Sequence, residues 1–384
     1  MDKETETGYF DPIRPFYDHE VSEAIDRLLQ QASFHTALRY VFPDVSSEDV
    51  QLRLRSLKSV DEFQSKIISN AVAAIIRSST SGVRSSGLDK LDPKKAYLFI
   101  SNHRDIVLDS ALLNYLLHMD EFPTTRIAIG SNLLQKSWIE DLVKLNKNFI
   151  VHRNVQARQA YDYSLRLSRY IRHSITKENS SVWIAQREGR SKDGYDQTQA
   201  GLLKMFGMST DDGPAGYQEL NIVPVSISYE LEPCAGMKAF EKYTKAQTGS
   251  YEKGEGEDLK SMQMGIARPK GRVQFSFGEP LSKEEIQLAF ETGNRNEAMK
   301  KMAERIDSHI VSNYRLYPYN YIAYDLLHES KEFVSNYSDK DKLAFESYLN
   351  EELLPLKGDA ELLKKHLLNI YANPLVRKKE MKLI

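Results

Sequence analysis

A regular alternation of short apolar segments and helix-like stretches constrains the fold of this chain more than any other feature of its sequence. The apolar segments span 96–101, 126–130, 148–151, 181–185, 221–229 and 272–278. Each is short and bounded by polar residues, which is typical of a buried strand. The stretches between them, such as 111–119 and 160–175, repeat apolar residues at helical spacing. Strands that alternate with helices predict a layered α/β domain, in which helices flank a mostly parallel central sheet.

Helix-like patterns without strands lie on both sides of this region. Between 20 and 76, apolar residues recur at helical spacing, and the Ser- and Gly-rich segment 78–87 then marks a boundary. After the last apolar segment, Ser282 and Glu285 form a capping-box pattern that predicts the start of another helix. We therefore predict an N-terminal helical region at 1–81, an α/β domain at 82–282 and a C-terminal helical region at 283–384.

Composition limits the compartment and the partners of the protein. The 384 residues carry a formal net charge of -2, so no overall attraction to nucleic acid is expected. The single cysteine, Cys234, cannot form an intramolecular disulfide, and the chain needs no oxidising compartment. The N-terminus lacks the apolar core of a signal peptide, and no stretch approaches the roughly 20 apolar residues of a membrane span. These features predict a cytoplasmic protein that is soluble or attached to a membrane surface.

The segment SNHRDIVLDS (101–110) contains residues that suit chemistry, and two enzyme classes compete for it. His103-Arg104-Asp105 matches the start of the catalytic loop of a protein kinase, which needs an Asn five residues after its Asp. That position holds Ser110, no Gly-rich loop precedes the motif, and no Asp-Phe-Gly follows it. The kinase interpretation is therefore rejected.

In the alternative interpretation, His103 is a general base. A hydroxyl needs a proton acceptor in order to attack an ester or thioester, and histidine titrates close to neutral pH. A carboxylate on the other ring nitrogen would orient the imidazole and stabilise its charged form. Because the segment follows a predicted strand and precedes a predicted helix, we expect His103 at the strand end and Asp109 near the helix start, close enough to meet.

Around this histidine the sequence resembles the glycerolipid acyltransferases, and most of all the bacterial glycerol-3-phosphate and 1-acylglycerol-3-phosphate acyltransferases. Their first motif is a His, four residues and an Asp, usually preceded by Asn or Cys, as Asn102 precedes His103 here. Segments similar to the lead-in strand, the second, third and fourth motifs and the closing strand are present in the family's order, at 82–91, 129–133 with 148–153, 187–194, 222–230 and 273–281. The resemblance covers the segment 82–282 and implies the layered α/β acyltransferase fold.

The resemblance also implies roles for individual residues. His103 would be the base and Asp109 its orienting carboxylate, while Arg153 and Arg190 would hold the phosphate of the acceptor, which a guanidinium fork suits. The further substrate-binding residues that it implies are Gly130, Asn132, Glu188, Gly189, Ser191 and Lys192. No metal, bound cofactor or covalent acyl-enzyme is expected, and the co-substrate is acyl-carrier protein or coenzyme A loaded with an acyl chain (acyl-ACP or acyl-CoA).

Two departures from the family leave parts of this assignment open. Five residues rather than four separate His103 from Asp109, so Asp105 is an alternative orienting carboxylate; we favour Asp109 because 110–113 matches the helix after the family's Asp. The third motif is one residue shorter than usual, and 186–187 is polar where the family tends to be apolar. The second departure leaves the head group of the acceptor open.

The sequence therefore predicts an O-acyltransferase of phospholipid biosynthesis that acylates glycerol 3-phosphate or a lysophospholipid. An aminolipid or similar head group is an alternative acceptor, and a non-catalytic lipid-binding module is an alternative function. Contact with the membrane is expected to be peripheral, at its cytoplasmic face. The basic segment 377–382, beside Leu383 and Ile384, would either rest on an anionic surface or pack on the core as a helical lid.

Overall fold

Seven strands form one sheet in this computed structural model, which describes residues 8–134, 136–153, 155–211, 213–291 and 293–384. The strands are β1 (Val83–Ser86), β2 (Leu98–Ser101), β3 (Arg126–Gly130), β4 (Asn148–Val151), β5 (Val182–Ala185), β6 (Ile222–Tyr229) and β7 (Val273–Phe277). Their order in the sheet is β1-β7-β6-β2-β5-β3-β4, and each neighbouring pair is parallel except β6 with β7. Each apolar segment of the sequence contains one strand, and the predicted α/β class with a mostly parallel sheet is confirmed.

Helices precede, follow and connect these strands. The α-helices are α1 (Val21–Leu29), α2 (Ala32–Val41), α3 (Ser47–Ser56), α4 (Val60–Phe63), α5 (Ser69–Ser79), α6 (Leu108–Met119), α7 (Ser137–Leu145), α8 (Ala157–Thr176), α9 (Ala200–Phe206), α10 (Pro214–Gln218), α11 (Ala235–Thr248), α12 (Glu257–Ala267), α13 (Lys283–Phe290), α14 (Arg295–Asn313), α15 (Pro318–Leu327), α16 (Asp339–Leu353) and α17 (Ala360–Glu380). A π-helical segment (Gln64–Ile68) joins α4 to α5. Short 3₁₀ turns lie at Asp18–Glu20, Leu88–Lys90, Ser131–Leu133, Gly207–Ser209 and Val334–Asn336.

The strands give the sheet two apolar faces, because successive side chains point to opposite sides. On one face, Leu98 and Ile100 of β2 lie in a cluster that includes Tyr170 of α8 and Met302 of α14. On the other face, Phe99 of β2 lies in a cluster with residues of α6. Helices thus cover both faces, as a buried parallel sheet requires.

The helices at the two ends of the chain have apolar clusters of their own. The helices α1 to α4 pack together and reach Leu145 of α7, and α15 to α17 pack against Ala235 and Ala239 of α11. The predicted helical regions at both ends are confirmed, whereas the boundaries after residues 81 and 282 stay predictions. No helix in the described part of the chain is long and apolar enough to cross a membrane.

The candidate site lies at the edge of the sheet where the central parallel strands end. In the strand register, Ser101 at the end of β2 pairs with Ala185 at the end of β5, so the loops after these strands leave the sheet side by side. We call 102–107 the β2 loop and 186–192 the β5 loop. Ligands of open α/β sheets bind at this carboxyl edge.

Candidate active site

His103 and Asp109 form a hydrogen-bonded pair where the β2 loop meets α6. The Nδ1 atom of His103 lies 2.8 Å from Oδ2 of Asp109. The Asp109 side chain is fully buried, while the His103 side chain keeps 15% of its surface exposed. The ring of Trp183 packs edge-on against the imidazole, with 5.8 Å between the ring centroids. With Nδ1 facing the carboxylate, Nε2 can accept a proton from a ligand, as a general base must.

Asp109 accepts three further hydrogen bonds. Its Oδ2 accepts from the backbone N–H groups of Arg104 at 2.6 Å and Asp105 at 3.0 Å. Its Oδ1 accepts from the hydroxyl of Tyr229 at 3.1 Å. These donors hold the carboxylate from several sides and so fix the orientation of the partner of the imidazole.

Asp105 performs a different task in the same loop. Its Oδ1 accepts from the backbone N–H groups of Val107 at 2.9 Å and Leu108 at 2.8 Å, at the start of α6. Its Oδ2 is buried without a hydrogen-bond partner, and a Cβ at Gly265 would lie only 2.2 Å from that atom. Burial raises the pKa of Asp105, and the charge of Asp109 adds to the effect. The extra residue of the motif is thus accommodated in a turn that Asp105 caps.

Backbone and amide contacts fix the β2 loop against its neighbours. Asn102 donates from Nδ2 to the carbonyl of Ile227 at 2.9 Å and accepts at Oδ1 from the N–H of the same residue at 2.7 Å. The carbonyl of His103 accepts from the N–H of Ser191 at 2.8 Å. This last bond joins the β2 loop to the β5 loop, so the third predicted motif lies directly beside the histidine.

The β5 loop places a buried cation next to this pair. Arg190 is only 7% exposed, and its Nη1 atom has no hydrogen-bond partner. No salt bridge of Arg190 is found within the described ranges.

Lys192 of the same loop is paired, since its Nζ atom lies 2.5 Å from Oε2 of Glu241. Burial and the charge of Arg190 lower the pKa of Lys192 to about 8, against the opposite effect of Glu241. Gly189 has a φ of 70°, a left-handed conformation that glycine adopts without strain.

The remaining predicted residues contact one another at the second motif and at its junction with the third. Arg153 forms a salt bridge of 2.5 Å with Glu188, whose side chain is 68% exposed. A Cβ at Gly130 would lie 2.5 Å from Oδ1 of Asn132 and 3.3 Å from Nε of Arg153. Asn132 also donates to Asp258 at 3.4 Å. The second and third motifs therefore meet through Arg153 and Glu188, whereas Gly130 lies against both Asn132 and Arg153.

Three buried polar residues that support the pair were not predicted from the sequence. Tyr229 donates to Asp109, Asp196 accepts from Arg104 at 2.7 Å, and Lys238 donates to the carbonyl of Arg104 at 2.7 Å. The polar tip of Tyr229 at the end of an apolar strand was a usable signal. No local signal marks Asp196 and Lys238, because they lie 92 and 134 residues from Arg104 along the chain.

The basic residues near the C-terminus have partners within the protein. Arg377 donates to Glu380 at 3.0 Å, and Lys379 donates to Glu332 at 2.7 Å. Lys378 is 9% exposed and donates to a backbone carbonyl of α14 at 2.7 Å. Of the two expectations for this segment, packing on the core is favoured for these three side chains.

Two cavities lie away from the pair, one beside Tyr217 and Phe290 and the other beside Gln64 and Tyr115. Neither cavity is lined by His103, so polar geometry rather than cavity volume identifies the site. Within the described residues, no group of three or more His, Cys, Asp or Glu side chains could hold a metal ion.

Comparison with known proteins agrees with this geometry. A family model described as Acyltransferase matches residues 82–228, a segment that contains the histidine pair and the β5 loop. Over residues 82–228 the chain therefore matches the acyltransferase family, and the predicted resemblance is confirmed for this segment.

Two solved structures are similar at low identity. One is the 1-acyl-sn-glycerophosphate acyltransferase PlsC from Thermotoga maritima, with 12% identity over 75% of this chain and 94% of that chain, at a TM-score of 0.36. The other is the signal recognition particle 54 kDa protein from Aeropyrum pernix in complex with GDP, with 12% identity over 91% and 87%, at a TM-score of 0.20. Both scores are too low to support a conclusion. No curated protein matches the chain significantly.

Proposed function

We propose that the protein is an O-acyltransferase that moves a fatty acyl chain from an acyl thioester to a hydroxyl of glycerol 3-phosphate or a lysophospholipid. The acyltransferase family supports the reaction class. The observation that carries the choice of acceptor is the buried guanidinium of Arg190, which forms no salt bridge among the described residues and whose Nη1 atom has no hydrogen-bond partner there. The hydrogen bond from the N–H of Ser191 to the carbonyl of His103 holds the loop that contains Arg190 against the loop that contains the histidine.

In this proposal His103 removes the proton of the acceptor hydroxyl while the hydroxyl oxygen attacks the carbonyl carbon of the thioester. Asp109, 2.8 Å from Nδ1, stabilises the imidazolium that forms. The carbon–sulfur bond then breaks, and the leaving thiolate takes up the proton from His103. The products are an ester and a free thiol, and the scheme uses no metal ion and no covalent acyl-enzyme.

Arg190 forms no salt bridge among the described residues, although its charge acts on the pKa of the buried Asp105 carboxyl. A phosphate beside Arg190 would supply a directly bonded anion. Lys192 and Arg153 add positive charge, although Glu241 and Glu188 already pair with them. We therefore assign Arg190 the main part in phosphate recognition. In the same scheme the loop around it is shaped by Glu188, Gly189 and Ser191, and Arg153 is supported by Gly130 and Asn132.

The donor in this scheme is either acyl-ACP or acyl-CoA, since both present the same thioester. No bound cofactor takes part. A lipid product implies peripheral contact with a membrane, which we place at the cytoplasmic face, and a role in phospholipid biosynthesis. An aminolipid is the alternative acceptor.

A non-catalytic lipid-binding module is the alternative that the irregular spacing of the first motif suggests. The distance of 2.8 Å between His103 and Asp109 weakens that suggestion, because the extra residue does not separate the two side chains.

The proposal is tested by incubating the protein with a labelled acyl donor and a panel of acceptors, and by measuring thiol release and product mass. We expect an ester of a phosphorylated glycerol acceptor. His103→Gln should lower turnover by about 10²–10⁴-fold without changing the melting temperature. If the only product is an ester of another head group, the proposed acceptor is wrong. If no acceptor leads to thiol release, the proposed activity is wrong.

A further inference from the structure

A buried lysine from outside the family-matched segment reaches the β2 loop. Lys238, near the start of α11, is 1% exposed. Its Nζ atom donates to the carbonyl oxygen of Arg104 at 2.7 Å and lies 2.9 Å from Oε1 of Glu232. Glu232 is also buried, with 4% of its side chain exposed. The family match ends at residue 228, so neither member of this ion pair belongs to the matched segment.

The carbonyl that Lys238 contacts belongs to the same peptide group as the N–H of Asp105. That N–H donates to Oδ2 of Asp109 at 3.0 Å, and the same oxygen contacts Nδ1 of His103 at 2.8 Å. Because the peptide is planar and trans, its carbonyl and N–H point in opposite directions. A continuous chain of hydrogen bonds therefore runs from the ammonium of Lys238, through one peptide, to the imidazole.

From this chain of contacts we infer that Lys238 is a positioning residue for the His103–Asp109 pair and acts through the peptide between Arg104 and Asp105. The inference rests on the proposed role of His103 as the base. A cation at the carbonyl polarises the peptide and strengthens the hydrogen bond that its N–H donates. It also fixes the plane of a peptide in the loop that contains the additional residue, so the N–H of Asp105 stays directed at Asp109.

The buried ion pair is difficult to explain by stability alone. Removal of two charges from water is unfavourable, and apolar residues of similar size often stabilise a core as well or better. The pair does, however, satisfy a carbonyl that lies in a buried loop and would otherwise lack a donor. Its position at the carbonyl side of the peptide between Arg104 and Asp105 thus matches a role in fixing the loop.

The test compares the double variant Lys238→Met/Glu232→Gln, which removes the donor without leaving a buried charge, with the wild-type full chain. In the acyl-transfer assay we expect kcat to fall by about tenfold or more, with the KM of both substrates unchanged within about twofold. The downfield proton resonance of the His103 Nδ1–H, identified by its loss in His103→Gln, should shift or broaden. This resonance reports on the pair even if the proposed reaction proves wrong.

Lys378→Met is the matched control, because Lys378 is also a buried lysine that donates to a backbone carbonyl at 2.7 Å. It should leave kcat and the resonance as in the wild type. If the double variant fails to fold, Lys238→Gln/Glu232→Gln takes its place, since the two amides can bond to each other but the shorter side chain does not reach Arg104. A wild-type resonance and kcat in the double variant, or equal losses in Lys378→Met, would overturn the inference.

Discussion

The β2 loop and the β5 loop leave the sheet side by side, but they differ in whether their buried cations form salt bridges. In and under the β2 loop, each cation has a carboxylate partner: Arg104 contacts Asp196 at 2.7 Å, and Lys238 contacts Glu232 at 2.9 Å. In the β5 loop, Arg190 is also buried, with 7% of its surface exposed, but it has no carboxylate within salt-bridge distance among the described residues.

The difference indicates a division of labour between the loops. A base must stay in one orientation throughout the reaction. A network of hydrogen bonds in which each charge has a partner of opposite charge holds it there. A buried cation without an anion is unfavourable by itself and becomes favourable when a ligand brings the anion. We therefore expect changes in the β2 loop to lower kcat, and changes at Arg190 to raise the KM of the acceptor.

The largest effect is expected from Asp109, one of the two carboxylates of the first motif, and Asp105 serves as its comparison. Asp109→Asn should lower kcat by about 10²–10⁴-fold, because the orientation and charge stabilisation of His103 are lost. Asp105→Asn should lower kcat by less than about tenfold, since an amide oxygen can still accept the two N–H bonds at the start of α6. The measurement is the steady-state rate of thiol release at saturating substrates.

Both variants need a melting curve as a control, because both carboxylates are buried. The assignment of the orienting carboxylate to Asp109 fails if Asp105→Asn abolishes turnover and Asp109→Asn does not.

The next largest effect is expected at the unpaired cation. Arg190→Gln should raise the KM of a phosphorylated acceptor by about 100-fold, because charged hydrogen bonds in a buried site are strong. Arg153→Gln should raise the same KM by less than about tenfold, since Arg153 is more exposed and already paired with Glu188. Titration of the acceptor at saturating donor measures both values, and a larger effect from Arg153 would reverse the ranking of the two arginines.

A smaller effect is expected from pH. The pKa of Lys192 lies at about 8, below its ordinary value, so its positive charge is present below pH 8 and is lost as the pH rises above it. If Lys192 assists phosphate binding, the KM of the acceptor should rise by up to about tenfold between pH 7 and pH 9. Lys192→Arg should remove this dependence, because a guanidinium stays protonated. An unchanged slope in the arginine variant would assign the dependence to another group.

The smallest effect is expected at the C-terminal basic segment. Lys379→Gln removes a partly exposed salt bridge with Glu332 and a hydrogen bond to the hydroxyl of Tyr324. It should lower the free energy of unfolding by about 1–2 kcal/mol at most and leave kcat unchanged. Chemical denaturation and the thiol-release assay check these outcomes, and a loss of turnover would place the C-terminal helix in the catalytic mechanism.

Much of the fold could be predicted because its determinants are local. The apolar segments at 126–130 and 148–151 coincide with β3 and β4, since buried parallel strands need continuous apolar residues. The direction of β7 was not predictable, because the apolar pattern of 272–278 is the same for a parallel and an antiparallel partner. Whether the basic side chains at 377–379 pack on the protein or face a membrane was also not predictable, since helical spacing does not reveal whether a charge has a partner.

The site shows the same division. The contact between Asp109 and His103 could be predicted because the strand that precedes His103 ends at Ser101 and the helix that contains Asp109 begins at Leu108, seven residues later. The support from Asp196 and Lys238 depends on contacts across 92 and 134 residues, which no local pattern encodes. The roles of the predicted residues stay predictions until they are measured.

The most direct test of the division between the loops is the selectivity for phosphate. The specificity constant kcat/KM should be measured for glycerol 3-phosphate and for glycerol, with the same acyl donor, in the wild type and in Arg190→Gln. If the unpaired cation recognises phosphate, the wild type should prefer the phosphorylated acceptor, and Arg190→Gln should lose about 100-fold of that preference with the rate for glycerol unchanged. Equal losses with both acceptors, or an unchanged preference, would contradict the proposed role of the β5 loop.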